Sequence, residues 1–250
     1  TFILVSMLGS GVIQSAAAGL VLVWCNVGLT AFAFLAAFNI SPLVAYLVGG
    51  AGILMGAVRT KPWNTYAGAF LGVGIILFGL EQVGSGLAPL KEAAWFSEVL
   101  EMALGSPVLA FAIGFAASAL LQSNTGAAMV VITLAQGGAL KVSEGMPIIY
   151  GANLGAILLR MFLASGLKGS SVRLVRMEDL FCVFGGVLMM GLLFAEKAGI
   201  PLVLGLAERM DGGAPIQLAL VFLLSNLIPA IVFTPLLPLC DAALKKFYPS

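Results

Sequence analysis

Residues 114–128 read GFAASALLQSNTGAA, and the polar side chains Gln122, Ser123, Asn124 and Thr125 stand in the middle of a run, 102–140, that carries no charged residue. Such a run suits the hydrocarbon of a bilayer, about 30 Å thick. Each half, 106–121 and 126–140, would be under about 25 Å long as a helix. Two short apolar helices around a polar break predict a helical hairpin whose tip lies at membrane depth. Unpaired N–H and C=O groups are costly against lipid, so that tip should be buried in protein or line a water-filled cavity.

The rest of the chain calls for the same solvent. Of 250 residues 61% are hydrophobic and 9% charged, with a mean hydropathy of +1.11, whereas a water-soluble domain carries about a quarter charged residues. Residues 1–58 and 212–240 also lack any Asp, Glu, Lys or Arg. The chain therefore reads as an all-α polytopic membrane protein embedded in a lipid bilayer. Apolar spans are expected near 1–13, 16–37, 42–58, 67–89, 106–121, 126–140, 146–166, 180–195 and 216–240. The segment 92–104 reads most plainly as a loop, with an amphipathic surface helix as the alternative.

Composition also excludes activities. A formal net charge of +1 without a basic stripe leaves nucleic acid no electrostatic footprint. The chain has no His, so Ser/His/Asp, Cys/His and HExxH arrangements cannot be built. No P-loop or dinucleotide fingerprint appears, and neither an enzyme nor an organic cofactor is expected. Cys25, Cys182 and Cys240 stand apart in apolar surroundings and read as small buried thiols.

Charge in the connections orients the chain. Arg59 with Lys61, Lys168 with Arg173 and Arg176, and Lys245 with Lys246 form three basic junctions. Segments 92–101 and 196–211 lean acidic. The positive-inside rule places the basic junctions and the C-terminus in the cytoplasm, with the protein multi-pass in the cell (inner) membrane. Parity of crossing holds whether 106–140 re-enters or crosses twice.

The chain also repeats itself. GSGVIQSAAAG at 9–19 resembles 114–128, each with Gln-Ser after a small-residue-rich apolar stretch. WCNVGLTAFAFLAAF at 24–38 resembles GANLGAILLRMFLAS at 151–165, both with Asn-x-Gly ahead of a further span. Paired units with broken helices meeting near the midplane are how many secondary transporters are built. The expected organisation is a first transport repeat at 1–58, a cytoplasmic connection at 59–66, a second repeat at 67–166 and C-terminal helices at 167–250. The units are unequal, because the second has about 19 more residues between its Gln-Ser and its Asn. Either the first hairpin is short, or residues after Ala18 and an upstream start are missing, which the opening Thr1 favours.

These motifs resemble those of the type II sodium/phosphate cotransporter family, bacterial members above all, whose two inverted units each hold a Gln-Ser-Ser-Ser-like and a Gly-Ala-Asn-Ile-Gly-Thr-like motif. Gln122-Ser123-Asn124-Thr125 and Gly151-Ala152-Asn153-Leu154-Gly155 are similar to these in the second unit. Gln14-Ser15 and Cys25-Asn26-Val27-Gly28-Leu29-Thr30 are similar in the first. Ser225-Asn226 with Pro235 resembles the family's terminal Asn and Pro region. The chain departs from the pattern at Ala16 and Ala17, which replace two serines, at Cys25 in place of Gly, at Ala156 in place of Thr, and at Phe222 where a His is frequent. The resemblance implies two inverted repeats with re-entrant helical hairpins and broken helices. It also implies sodium-coupled symport of inorganic phosphate or a related small oxyanion, with Na+ as coupling ion.

The residues allow that reading in chemical terms. Backbone N–H groups at a helix start, with hydroxyl and amide donors beside them, hold an oxyanion. Gln14, Ser15, Gln122, Ser123, Asn124 and Thr125 are the candidates, with Arg160 two helical turns past Asn153 as an attracting charge. Oxygen ligands without fixed charge suit sodium, and Asn26, Thr30, Ser123, Thr125, Asn153 and Asn226 are the candidates. The plainer alternative is that these side chains cap or cross-link packed helices, with Arg160 snorkelling or pairing with Glu81. A passive anion channel or exporter, or a non-transporting membrane subunit with a decayed site, stays open on the same scaffold, as does assembly into a homo-oligomer.

Overall fold

A computed structural model describes residues 1–37, 41–57, 60–86, 93–200 and 202–249. Every regular element among them is helical: α1 (Phe2–Gly9), α2 (Ser15–Leu29), α3 (Ala31–Ala37), α4 (Ser41–Ala57), α5 (Lys61–Gly86), α6 (Ala94–Gly105) and α7 (Pro107–Leu121) are followed by α8 (Asn124–Gln136), α9 (Val142–Leu163), α10 (Gly169–Lys197), α11 (Val203–Ala207), α12 (Gly213–Phe233), a 3-10 turn (Thr234–Leu236) and α13 (Leu237–Phe247). Four stretches of the described residues are long and apolar enough to cross a membrane: Ser15–Phe34, Val142–Leu163, Gly169–Lys197 and Gly213–Phe247.

The boundaries differ from expectation where local chemistry decides them. The span expected at 180–195 begins at Gly169, drawing Arg173, Arg176, Glu178 and Asp179 into the helix. Their charges are tolerated there because they pair, Arg176 with Asp179 one turn on at 2.9 Å. The span expected at 216–240 is interrupted at Thr234–Leu236, where Pro235 lacks the N–H that would continue an α-helix. Residues 94–105 are helical rather than a loop. Arg59, Glu92 and the ends of the spans at 42–58 and 67–89 lie outside the described residues.

The break at 122 has a local cause. Gln122 adopts φ 54°, the left-handed region, and is the one described non-glycine residue to do so. The Ser123 N–H turns back to the Ser118 carbonyl at 3.2 Å, closing the last turn of α7. Ser123 Oγ then accepts the Gly126 N–H at 3.0 Å and starts α8. The two helices are about 22 and 20 Å long.

Glycine sets how close α7 comes to α9. A methyl built on Gly114 would lie 1.9 Å from the Ile148 carbonyl oxygen, and one on Gly151 would lie 1.9 Å from that of Phe111. One on Gly155 would lie 2.4 Å from the Phe115 oxygen. Residue number rises in the same sense from 111 to 115 and from 151 to 155, so α7 and α9 run parallel, backbone against backbone. Small residues permit such contact in membrane bundles, where van der Waals packing replaces the hydrophobic drive.

Two apolar clusters fill the bundle. One joins Ile132, Met146, Tyr150, Met189 and Phe222, and the other joins Leu22, Val175, Phe181, Ala230 and Phe233. They meet on α9 between Tyr150 and Ile157, on α10 between Cys182 and Met189, and on α12 between Phe222 and Ala230. Outside, Ile3 and Leu120 are 79% and 84% exposed, among many large apolar side chains. Water would penalise such a surface, and lipid does not.

Candidate functional site

Where the two apolar clusters meet, the bundle turns polar. Asn26 of α2, Asn124 of α8, Asn153 of α9, and Ser225 and Asn226 of α12 line one small cavity, closed by Phe181, Cys182 and Gly185 of α10 and by Pro229. Asn153 stands at the middle of α9, so the cavity lies near half-depth of the helices. Asn26, Asn153, Ser225 and Asn226 are all buried.

The hydrogen bonds decide which atoms are left for a ligand. Asn26 Nδ2 donates to the Leu22 carbonyl and Asn226 Nδ2 to the Phe222 carbonyl, each at 3.0 Å and four residues back on its own helix. A carbonyl only accepts, so both amide nitrogens are fixed against the backbone and both Oδ1 atoms are directed away from it. Asn153 Nδ2 donates to Ser225 Oγ at 3.1 Å, and Asn153 Oδ1 receives a longer bond, 3.4 Å, from Asn124 Nδ2. Pro229 has no N–H, and so the Ser225 carbonyl lacks its donor four residues on. Gly185 makes room for that proline, since a methyl there would already sit 3.3 Å from its ring.

The result is a cluster of neutral oxygens without a fixed charge. Among the described residues no group of three His, Cys, Asp or Glu could hold a metal ion. The space is about 10 Å³ for the centre of a water-sized sphere, room for one water or one dehydrated monovalent cation. A phosphate does not fit it in this conformation.

The hairpin tip is satisfied by its own side chains. Ser123 Oγ takes the Gly126 N–H, and Asn124 Oδ1 takes the Thr125 N–H at 2.8 Å. Thr125 Oγ1 also leans on Asn124 Oδ1 at 3.4 Å. Two of the helix-start donors expected to face an oxyanion, the N–H groups of Thr125 and Gly126, are therefore occupied in this conformation, while the Gln122 side chain is exposed beside them.

The other expected residues divide. Gln14 caps α2 from an exposed position and Ser15 is half-buried. Asn26 lies about 16 Å further along that helix, and neither Gln14 nor Ser15 lines the cavity. Ser15 opens the helix that carries Asn26, whereas α8 and a turn intervene between Ser123 and Asn153. The difference in spacing from Gln-Ser to Asn between the two stretches is thus the length of α8 and its connection. Thr30 is buried, but its hydroxyl donates to the Val27 carbonyl at 2.6 Å and does not reach the cavity.

Arg160 is engaged by carboxylates. Its Nη1 meets Glu178 at 3.3 Å and its Nε meets Asp179 at 3.1 Å, while Nη2 lies 3.1 Å from Cys182 Sγ. The Thr1 hydroxyl also donates to Glu178. Because Cys182 lines the cavity, this ion-pair network forms the layer behind its wall. Sequence reasoning overlooked Glu178, Asp179, Cys182, Gly185 and Pro229. The available signal was one arginine in an apolar span with two adjacent acids bordering the next.

The profile of the Na+/Pi-cotransporter family matches residues 1–85 and 76–223. The chain belongs to that family, a family of multi-pass membrane proteins. It is 23% identical over 252 residues to the uncharacterized protein YqeW of Bacillus subtilis, covering 93% of this chain and 80% of that protein. It is also 23% identical over 204 residues to the putative inorganic phosphate export protein YjbB of Escherichia coli, and 22% identical over 214 residues to its Salmonella typhimurium counterpart. Those alignments cover 80% and 84% of this chain but 37% of each export protein. No solved structure matches significantly.

Proposed function

We propose that this protein transports inorganic phosphate across a membrane by alternating access, coupled to sodium. The asparagine cavity would be the cation site and the tip of the α7–α8 hairpin part of the anion site. The observation that carries the reading is the meeting of Asn26, Asn124, Asn153 and Asn226 at one neutral, oxygen-lined cavity in a member of the Na+/Pi-cotransporter family.

In this mechanism Na+ is held by the Oδ1 atoms of Asn26 and Asn226 and the freed Ser225 carbonyl. Neutral oxygens match a monovalent ion, as exposed carbonyls do in other broken-helix transporters. Asn153 Oδ1, released from its 3.4 Å contact with Asn124, completes the site. Asn124 is then free to turn, and its Oδ1 gives up the Thr125 N–H. Ser123 Oγ, Thr125 Oγ1, the Gln122 amide and the start of α8 become donors to phosphate. Cation binding thereby prepares the anion site, and only the doubly loaded tip lets the bundle change its open side. Arg160, committed to Glu178 and Asp179, acts from behind the wall as a positioning charge.

The short lengths of α7 and α8 around a polar break support a re-entrant hairpin. Asn26 and Asn153, each from an Asn-x-Gly copy and both at the same cavity, support two structural repeats. The basic ends face the cytoplasm on this reading. A second reading, export rather than uptake, is favoured by the Escherichia and Salmonella relatives, named putative inorganic phosphate export proteins.

Sealed proteoliposomes test both. Radiolabelled phosphate flux is measured with an inward sodium gradient, an outward one, and an equal potassium gradient. Flux that follows the sodium gradient, and falls when Asn26 and Asn226 are replaced by Ala, supports coupling at this cavity. Flux indifferent to sodium in folded, inserted protein refutes the coupling. No phosphate flux under any gradient refutes the substrate.

A further inference from the structure

At the end of the bundle where α9 stops and α10 begins, the C-terminal helix α13 folds back onto α10. Arg173 of α10 is buried and holds it, donating from Nη1 to the Tyr248 carbonyl at 3.0 Å and approaching Asp241 at 3.9 Å. Lys245 also contacts Asp241, at 2.7 Å. Two adjoining cavities of about 340 and 350 Å³ result, and both have Arg176, Phe247 and Tyr248 in their walls.

Their chemistry differs. The first is lined by Ser165, Lys168 and the start of α10 at Gly169. Lys168 is exposed and forms no ion pair among the described residues, and its side chain makes no cap bond to α10. Among the described residues Arg176 gives only Nη1, to Asp179, and its other donors are unengaged. The second cavity has Asp179, paired with Arg176, in its wall, and continues along the otherwise apolar flank of α9 and α10, past Met161, Leu180 and Val183. From Arg176 to Val183 that flank runs about 10 Å. A cationic pocket at the end of the spans thus opens into an apolar groove between them.

We propose that this groove binds one anionic phospholipid of the phosphatidylglycerol type. Its phosphodiester lies between Lys168 and Arg176, and an acyl chain lies against Met161, Leu180 and Val183. Charge complementarity sets the headgroup, since the unpaired Lys168 and the free donors of Arg176, whose Nη1 alone is paired with Asp179, face one cavity, and basic pockets beside spans attract acidic lipid. The adjoining apolar groove sets the rest, because free inorganic phosphate leaves it unfilled.

Native mass spectrometry of the full chain, released from micelles doped with equal phosphatidylglycerol and phosphatidylcholine, reads the occupant directly. The wild type should retain one phosphatidylglycerol over phosphatidylcholine by about fivefold per engaged cation. Lys168→Gln should lose about fivefold of that preference. Val183→Trp, which fills the groove without touching charge, should reduce retention of the lipid while the protein stays folded by circular dichroism. Millimolar inorganic phosphate should displace none of it. Equal retention of the two lipids, unchanged retention in both variants, or displacement by inorganic phosphate would each overturn the proposal, the last making the pocket a free-anion site.

Discussion

Alanine at Gly114 or Gly151 tests the tightest feature of the bundle. Each new methyl would begin 1.9 Å from a carbonyl oxygen of the facing helix, where ordinary contact starts at 3.4 Å. The obstacle is backbone, so no rotamer change relieves it, and α7 and α9 must part by about 1.5 Å. A gap of that size forfeits half or more of the dispersion well for atoms along the seam, and overpacked sites lose about 1–3 kcal/mol. Each single variant should therefore cost about 3 kcal/mol. The same separation accommodates both methyls, so the double variant should cost about 3–4 kcal/mol rather than the sum, a coupling of roughly 2 kcal/mol or more. Reversible unfolding in mixed micelles, followed by circular dichroism for the four members of the cycle, measures this. Additive losses, or singles below about 1 kcal/mol, would show that α7 and α9 do not touch as described. The Asn124–Asn153 contact joins α8 to α9, and α8 follows α7 directly across the Gln122–Ser123 turn, so the singles should also weaken any transport coupled through it.

Three further perturbations address the polar centre. Asn153→Ala leaves the Asn124 amide without its acceptor and takes one donor from Ser225 Oγ, which keeps its bond to the Phe222 carbonyl, and should cost about 1–3 kcal/mol in the same unfolding assay; a loss under about 0.5 kcal/mol would mean the bonds at 3.1 and 3.4 Å are not formed. Pro229→Ala restores an N–H to the Ser225 carbonyl, so the helix should hold or gain stability while the sodium concentration for half-maximal flux rises about tenfold; an unchanged sodium titration removes that carbonyl from the ligand set. Arg160→Gln leaves Glu178 and Asp179 short of a cation and should cost about 3 kcal/mol, with Glu178→Gln added to it restoring part of the loss. If Arg160→Gln instead leaves stability intact and raises the phosphate KM, the arginine binds substrate and the ion pairs are incidental.

Lipid as solvent explains what could be read from residues alone. Uncharged runs and the polar break at Gln122–Thr125 are visible because hydrocarbon tolerates few exceptions, and the hairpin and its left-handed turn fall there. Asn26 and Asn153 were legible through repetition, and they do meet at one cavity. Gln14 and Ser15 share the motif but not the place, because α2 runs unbroken from Ser15 to Asn26 and holds them far apart. Glu178 and Asp179 were hidden by the habit of ending a span at its last charge, whereas paired charges continue into it. Arg160 read as a charge for an anion, a snorkelling side chain or a partner of Glu81, whereas its ion pairs are with Glu178 and Asp179, 18 and 19 residues away across a turn. Pro229 carries no chemical label at all, since its contribution is a hydrogen bond that it fails to make.

The link from Asn153 to Ser225 joins residues 72 apart in the chain, and that has a consequence for biogenesis. The hairpin tip and α9 leave the ribosome well before α12 exists. At about 5–20 residues per second the interval is roughly 4–14 s. During it the Asn153 amide sits in an apolar bundle without its hydroxyl partner, and the α7–α9 pair must wait for a helix still being made. Insertion of this protein is therefore ordered in time, and the polar centre closes only once α12 has been made.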